Sequence, residues 1–226
     1  MRKTLLYRIF IASCLVFLAS PSFAKPGEKI TYSVKLGVVS LGTAYFNYLE
    51  NSSLSGKPVA VISFTTKVTG FQDIEMIYAD LSTMLPLKIE RKINNMGSRE
   101  RITENYDQKR SMLAITKIKG NKKEQFDIKK DGNIQNAILL PFSVRREPRL
   151  DIGWGSRVRL PTQDFSIKLV SIEDVSVPAG KFKAYHFVSE PEKIEIWITA
   201  DERRIPVKIK GAASIGYVMY MREYHQ

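Results

Sequence analysis

KIEIWITADERRIPVKIK, residues Lys193 to Lys210, is the stretch that decides the fold class. Aliphatic residues alternate with other residues along both of its arms, at Ile194, Ile196, Ile198, Ile205, Val207 and Ile209. Because successive side chains of a strand point to opposite faces, this period of two predicts two strands, each with one aliphatic face. The charged segment 200–203 predicts the turn between them, since Asp201 can bond nearby backbone groups. Trp197 lies opposite the isoleucine face, so we expect both faces of the first arm to be covered.

The same alternation recurs through most of the chain, beginning at 29–38. It predicts a mainly β fold of about ten strands, arranged as a curved antiparallel sheet or half-barrel, because large sheets twist and curl. One or two helices are predicted to pack on its concave side. In 71–79 the apolar residues fall at helical spacing, which predicts a short helix or an irregular crossover. A second helix is predicted over 134–144, ended or kinked by Pro141.

The first 24 residues have the layout of a secretory signal peptide. A basic start precedes an apolar run over 9–19, and the small-residue pattern that follows predicts cleavage after Ala24. The run is about half the ~20 residues that a spanning helix needs, so we do not expect a membrane anchor. Residues 25–226 contain no linker and no repeat, and we interpret them as a single β-rich domain.

Cys14 leaves a lipoprotein signal as an alternative, because residues 11–14 loosely resemble a lipobox. Most of the apolar run follows Cys14, however, whereas a lipoprotein signal has its apolar core before the cysteine. We therefore expect a periplasmic protein that is not lipidated. Cys14 is the only cysteine and leaves with the signal, so we expect no disulfide.

The formal net charge of +12 favours anionic partners. Export argues against nucleic acid and favours lipid headgroups, lipopolysaccharide or acidic polymers. The alternative is that the basic side chains only solvate the outer faces of strands. The clusters with a candidate role in contacting an anionic ligand or partner are Arg145, Arg146, Arg149, Arg203 and Arg204. For the first three, the alternative is a solvated helix end, and for Arg203 and Arg204 it is a turn pinned to Asp201.

Few residues are suited to catalysis or to metal binding. Nucleophilic catalysis needs a nucleophile, a base and an orienting group, yet the predicted mature chain has no cysteine and only His186 and His225 as histidines. His225 is next to the C terminus, and His186 shares a predicted strand face with apolar residues, which favours packing. We predict no catalytic residue, no metal site and no cofactor. The acidic residues are numerous, but no spacing selects a pair for glycoside hydrolysis.

Several short patterns, in this order, resemble the bacterial export-directed family catalogued as domain of unknown function 3108. They are Glu28–Val34, Leu41–Ala44, the predicted helix ending in Val144–Arg146, Val177–Ala184, Ile196–Ile198 with Asp201 and Arg203–Ile209, and Ile215–Val218. The resemblance implies an exported β-rich domain and no known activity. By analogy, the fold expected for the family is similar to the curved sheets of periplasmic lipoprotein carriers, although fold does not fix function.

These features together predict a non-catalytic periplasmic protein that binds a lipid, a lipoprotein or an envelope polymer in the biogenesis or maintenance of the cell envelope. An apolar concave face would bury acyl chains. Two alternatives remain open: an envelope protein that docks another protein without a small ligand, and a glycan-acting enzyme that uses carboxylates.

Overall fold

The computed structural model describes residues 25–211 and 216–226. The predicted signal peptide, Cys14 and the cleavage site after Ala24 lie outside these residues. The first eight strands are β1 (Lys29–Leu36), β2 (Val39–Leu54), β3 (Lys57–Val68), β4 (Phe71–Asp80), β5 (Pro86–Asn95), β6 (Ser98–Asp107), β7 (Met112–Lys119) and β8 (Lys122–Lys129). They are followed by the helix α1 (Leu140–Val144) and by β9 (Gly155–Arg159), β10 (Asp164–Val177), β11 (Gly180–Glu190), β12 (Glu195–Thr199), β13 (Pro206–Lys210) and β14 (Val218–His225).

All fourteen strands form one antiparallel sheet, in the order β8-β7-β6-β5-β4-β3-β2-β1-β14-β13-β12-β11-β10-β9. Sequential strands pair along two runs, β1 to β8 and β9 to β13. The C-terminal β14 lies between the two runs and pairs with β1 and β13. The sheet is open and curled, with β8 and β9 at its edges. The prediction of a mainly β, curved antiparallel sheet is therefore confirmed.

The hairpin at 193–210 forms as its alternation predicts. β12 pairs with β13 in the register Ile196 to Ile209 and Trp197 to Lys208, and a bulge follows Trp197. Ile196, Trp197 and Ile198 are all at least 96% buried, so both faces of β12 are covered. The hairpin therefore lies within the sheet, between the pairing partners β11 and β14.

The prediction of a helix or crossover over 71–79 is wrong, because these residues form β4. Ile74 and Tyr78 occupy one face of the strand, and Phe71 and Ile77 occupy the other, which produced a false helical spacing. Pairing with β3 and β5 along the whole length of β4 fixes it as a strand. This additional strand is one reason why the sheet has 14 strands and not the about ten predicted from the alternation in the sequence.

The helix predicted over 134–144 is shorter than expected. Only Leu140–Val144 is helical, and Pro141 stands in its first turn, where a residue without an N–H is tolerated. The Asn136 side chain accepts hydrogen bonds from the backbone N–H groups of Ile138 (2.8 Å) and Leu139 (3.2 Å), which makes a turn before the helix. The proline predicted to end or kink the helix is thus near its start.

The chain between the two sheet edges crosses the inner face of the sheet, and we call residues 130–150 the crossing segment. The side-chain amide of Gln108 holds one end of this segment. Its oxygen accepts from the backbone N–H of Ile134 at 2.9 Å, and its nitrogen donates to Ile134 O at 2.9 Å and to Pro86 O at 2.8 Å. On β9, the backbone N–H of Arg159 donates to the Gln135 side chain at 2.9 Å. Phe142 then stacks on Phe46 of β2, with ring centroids 3.9 Å apart. The predicted packing of helical residues against the concave face is therefore observed.

A buried ion pair ties the crossing segment to the start of β1. The Arg145 guanidinium donates to Glu28 at 2.6 Å, and both side chains are 1% exposed. The pair adjoins Tyr32, whose hydroxyl donates to Pro206 O at 2.9 Å. Burial, and then the Glu28 charge, raise the pKa of Tyr32. We call Glu28 and Arg145 the sealed pair.

Candidate functional site

A cavity of about 720 Å³ lies on the inner face of the sheet, between β3–β6 and the crossing segment. Its apolar lining is Val34, Leu41, Phe64, Val68, Phe71, Ala137, Ile138, Leu160, Pro161 and Met219. The turn between β9 and β10 supplies Leu160, Pro161 and Thr162 on the far side. A smaller space of about 90 Å³ continues beneath it and shares Phe64, Ile138 and Met219. The inner face of the sheet is thus incompletely filled, and the open volume is mostly apolar.

Charged side chains enter this cavity from three neighbouring strands. Asp73 and Glu75 project from β4, Arg91 from β5 and Glu104 from β6. Alternate positions along each strand share a face, so these residues share the inner face with apolar neighbours such as Ile77, which is fully buried. We call Asp73, Glu75 and Glu104 the cavity acids.

Arg91 is held mainly by Asp73. Its Nε lies 2.9 Å from Oδ1 and 2.8 Å from Oδ2 of Asp73, and its NH2 group makes a further short contact with Oδ2. Glu75 Oε1 is 3.5 Å from Arg91 Nε, beyond the usual hydrogen-bond length. Glu104 instead accepts a hydrogen bond from the Tyr106 hydroxyl. Within the described residues, three carboxylates therefore surround this guanidinium, and only Asp73 makes short hydrogen bonds to it.

The electrostatics follow from this imbalance. Burial raises the pKa of Glu75 to about 7, with Arg91 opposing the rise and the charges of Asp73 and Glu104 adding to it. Burial and then the Glu104 charge raise the pKa of Tyr106, so the phenol stays a hydrogen-bond donor. Burial opposes the charge of Arg91, yet the bond to Asp73 and the surrounding acids raise the pKa of that guanidinium. Near neutral pH, Glu75 can therefore present either a proton or a charge to the cavity.

Such an arrangement suits the polar end of a ligand better than it suits stability. Unbalanced buried charges cost free energy, and perturbed carboxyl groups in a cleft are candidates for function. No group of three or more His, Asp or Glu side chains with the geometry of a metal site is found in residues 25–211 and 216–226. The cavity acids and Arg91 can form hydrogen bonds, interact with charges and exchange protons, and they lie next to an apolar volume.

The basic residues singled out from the sequence do not surround this cavity as one cluster. Arg145 belongs to the sealed pair. Arg204 reaches it from the β12–β13 turn, donating to Arg145 O at 3.1 Å and to Glu147 O. Arg146 donates to Leu81 O at 3.0 Å and lines a separate cavity of about 290 Å³ beside Met84. These three guanidiniums hold backbone or carboxylate groups of the protein itself.

Arg149 and Arg203 are more exposed. The Arg149 side chain is 83% exposed and pairs with Asp151 at 2.6 Å. Arg203 is paired with Asp201 at 2.7 Å, and Asp201 also accepts from the backbone N–H groups of Arg203 and Arg204. This is the turn pinned to Asp201 that was named above as the alternative for Arg203 and Arg204. Contacts of these arginines with an anionic ligand or partner stay a prediction.

His186 is a packed side chain on the opposite face of the sheet. Its ring stacks on Trp197 with centroids 4.2 Å apart, and its Nε2 is 3.0 Å from Glu195 Oε2. Lys208 Nζ covers the same indole at 3.9 Å from its centroid, and the indole N–H donates to Glu173 at 2.7 Å. This layered cluster covers the outer face of β12 and is consistent with the packing interpretation.

Sequence reasoning missed the cavity acids. A signal was available: Asp73 and Glu75 stand two residues apart, on the same face as Ile77. A pair of acids at strand spacing, in line with apolar residues, indicates carboxylates that face a core. The helical interpretation of 71–79 concealed that face.

The fold and cavity define a class: an open, curled antiparallel sheet that encloses a cavity with a mixed apolar and acidic lining. The family model of DUF3108, a protein of unknown function, matches residues 31–222, and the chain belongs to this family. The resemblance to domain of unknown function 3108 is therefore confirmed. Membership assigns no activity. No curated protein matches the chain in sequence at a significant level.

Solved structures that are similar to this chain include the following three. A β-barrel-like protein of DUF1849 from Brucella abortus has 9% identity and a TM-score of 0.49, covering 90% of this chain and 99% of its own. A candidate exported protein with a YmcC-like fold from Bacteroides fragilis has 9% identity and a TM-score of 0.32, covering 91% and 98%. A candidate lipoprotein from Parabacteroides distasonis has 8% identity and a TM-score of 0.30, covering 90% and 97%.

Within residues 25–211 and 216–226, no helix is both long enough and apolar enough to cross a membrane.

Proposed function

We propose that this protein is a non-catalytic binding protein of the cell envelope, which holds the apolar part of a lipid or a lipoprotein in its inner cavity. The observation that carries the proposal is the cavity of about 720 Å³ with its mainly apolar lining. Pockets of several hundred Å³ with apolar walls and a few polar groups are typical of small-molecule sites. The secretory layout of residues 1–24 supports an extracytoplasmic location.

The polar end of the ligand lies at the cavity acids. Because three acids face one arginine there, an uncharged or amino-bearing polar end fits better than a carboxylate or a phosphate. Hydrogen bonds from a hydroxyl or ammonium group would satisfy Glu75, which has no short hydrogen-bond partner among residues 25–211 and 216–226. This refines the expectation of anionic headgroups, which the basic residues of the sequence had suggested.

Uptake of an uncharged, pyrene-labelled monoacylglycerol tests the proposal. The change is Thr66→Phe, since Thr66 lines the cavity on β3 and a phenyl ring there would fill part of the volume. We expect the substitution to weaken uptake at least about tenfold while the protein stays folded, because the acyl chain of the probe would lose buried contact area in the cavity. Fluorescence titration measures the affinity, and unfolding by urea checks the fold.

Thr65→Phe is the matched control. Thr65 is the adjacent residue of the same strand and points to the other face of the sheet, so uptake should match the unsubstituted protein. Uptake that Thr66→Phe leaves unchanged would place the ligand elsewhere. If the unsubstituted protein takes up no probe, and native mass spectrometry of gently purified protein finds no bound lipid, the proposal fails and protein docking becomes the better interpretation.

The enzyme alternative also has an observation in its favour, since Glu75 and Glu104 both face the cavity and a raised pKa is a property of general acids. Release of soluble glycan from purified envelope material would support it, provided that Glu104→Gln abolishes the release. Release that continues in the Glu104→Gln protein would come from a contaminant.

A further inference from the structure

Four hairpin turns of the first run of strands meet at one end of the sheet. In an antiparallel meander, alternate turns lie at the same end, so the β1–β2, β3–β4, β5–β6 and β7–β8 turns are neighbours. The ladders agree with this, since Val68 pairs with Phe71 and Phe71 pairs with Asn95. We call this surface, residues 35–40, 67–72, 94–99 and 118–123, the tip end.

Large apolar side chains at the tip end face solvent. Val38 is 95% exposed, Met96 is 88% exposed and Val39 is 58% exposed. Met96 also adopts a positive φ of 48°, at a turn position where Asn or Gly is favoured. Neither local backbone geometry nor packing within the described residues explains a methionine at this site. Exposed apolar residues that cluster at one place indicate an interaction surface.

The charges of the tip end are all of one sign. Its four segments contain six basic residues and no acidic one, and the basic residues are Lys35, Lys67, Arg99, Lys119, Lys122 and Lys123. Apolar tips flanked by lysine and arginine are suited to a bilayer whose headgroups are anionic, because the tips enter the interface and the cations stay at headgroup level.

The opposite end of the same strands lacks this pattern. Its turns, 54–57, 80–86 and 107–112, contribute none of the exposed large apolar residues found in the described part of the chain. Met84 of the β4–β5 turn is instead 5% exposed. Asp80 closes that turn by accepting hydrogen bonds from Ser82 and Thr83. The apolar exposure at the tip end is therefore not a general property of hairpin turns in this protein.

The cavity reaches the tip end. Val68 and Phe71 belong to both, and Val34 and Leu41 flank the first tip while lining the cavity. At the same place, a side chain on Gly42 would approach Lys67 O to 2.0 Å, so glycine allows β2 and β3 to lie close together there. We propose that the tip end docks onto an anionic bilayer surface and thereby presents the cavity to the membrane. The docking surface goes beyond the proposed function and does not depend on a bound ligand.

Flotation with lipid vesicles tests the inference. The protein, produced from its full-length sequence, is mixed with vesicles of phosphatidylcholine that contain one third phosphatidylglycerol, and with vesicles of phosphatidylcholine alone. We expect binding to the anionic vesicles, weakened by added salt because salt screens exposed charges. The combined change Val38→Ser, Val39→Ser and Met96→Ser should weaken this binding at least about tenfold, since three apolar side chains no longer enter the interface.

Ile152→Ser is the matched control, because Ile152 is 65% exposed and lies before β9, away from the tip end. It should leave vesicle binding unchanged. The inference is overturned if the protein ignores anionic vesicles, if it binds both compositions equally, or if the serine substitutions have no effect. The Thr66→Phe protein separates the two proposals: it should bind vesicles normally although its uptake of monoacylglycerol is lost. Vesicle binding by an unsubstituted protein that takes up no lipid would support docking alone.

Discussion

Two groups of buried charge lie on the inner side of this sheet, and they differ in balance and in what they face. The sealed pair matches one carboxylate with one guanidinium at 2.6 Å, and both side chains are almost fully buried. The cavity acids place three carboxylates around Arg91, and they face a volume of about 720 Å³. Both groups consist of the same residue types, so residue type alone does not separate them.

The difference separates a structural role from a candidate binding role. A balanced pair enclosed by packed side chains holds the crossing segment to β1, although Glu28 Oε2 and Arg145 Nε have no hydrogen-bond partner in the described part of the chain. An unbalanced group beside a cavity keeps unused capacity for hydrogen bonds and protons. Substitutions in the sealed pair should therefore change stability, and substitutions at the cavity acids should change pH dependence and ligand uptake.

The largest effect is expected from Arg145→Met. It leaves the Glu28 carboxylate buried without its cation, which costs about 3–5 kcal/mol of unfolding free energy. Urea denaturation at neutral pH measures the loss. Arg149→Met is the control, because the Arg149 side chain is 83% exposed and its ion pair is worth less than about 1 kcal/mol.

Adding Glu28→Gln to the Arg145→Met protein should recover part of the stability, since no uncompensated charge then remains buried. If Arg145→Met alone lowers the unfolding free energy by less than about 1 kcal/mol, the sealed pair is not structural. The contrast between the sealed pair and the cavity acids would then not hold.

The next effect is a pH-dependent gain of stability in Glu75→Gln. The pKa of Glu75 is raised on folding from 4.5 to about 7, so its protonated form is favoured in the folded state. Stability from this group is fully present below pH 4.5 and is lost as the pH rises through about 7, by about 3 kcal/mol in all. Glutamine does not ionise, so the substituted protein should be more stable by about that amount at pH 8 and nearly unchanged at pH 4.

The charged and titratable groups that face Glu75 are Asp73 on its own strand, Arg91 on β5, Glu104 and Tyr106 on β6, and Tyr217 before β14. Urea denaturation from pH 4 to pH 8 gives the difference curve. Glu90→Gln is the control, because Glu90 lies on the other face of β5 and its side chain is 44% exposed. A difference curve that is flat with pH would show that folding does not shift the pKa of Glu75, and it would remove the electrostatic basis for the cavity acids.

The sheet could be predicted from the sequence because its residues alternate in hydrophobicity over long stretches. β1 and β12 show this, with Ile30, Tyr32 and Val34 buried on one face of β1. The alternation fails in β4, where Asp73 and Glu75 occupy inner positions. A local pattern breaks where a polar group is placed against an apolar core, and such places are often functional. The error in the fold and the omission in the site therefore have the same physical cause.

The basic residues illustrate the reverse limit. A guanidinium looks the same in the sequence whether it is buried or exposed, and its role depends on distant partners such as Glu28 for Arg145. That contact spans 117 residues along the chain, and no local spacing encodes it. The cavity and its lining likewise depend on how far the sheet curls around the crossing segment, which no single strand pattern gives.

The smallest effect is expected from Tyr106→Phe, which removes only the hydroxyl that donates to Glu104. The ring keeps its packing, so stability should fall by about 1 kcal/mol. Uptake of the labelled monoacylglycerol should weaken about fivefold if its polar end contacts this carboxylate, because the orientation of Glu104 is no longer fixed. Fluorescence titration measures the affinity, and Tyr78→Phe on the outer face of β4 is the control. Equal affinity in the two variants would show that the cavity acids take no part in ligand binding. A loss of affinity confined to Tyr106→Phe would show that the cavity acids contact the polar end of the ligand.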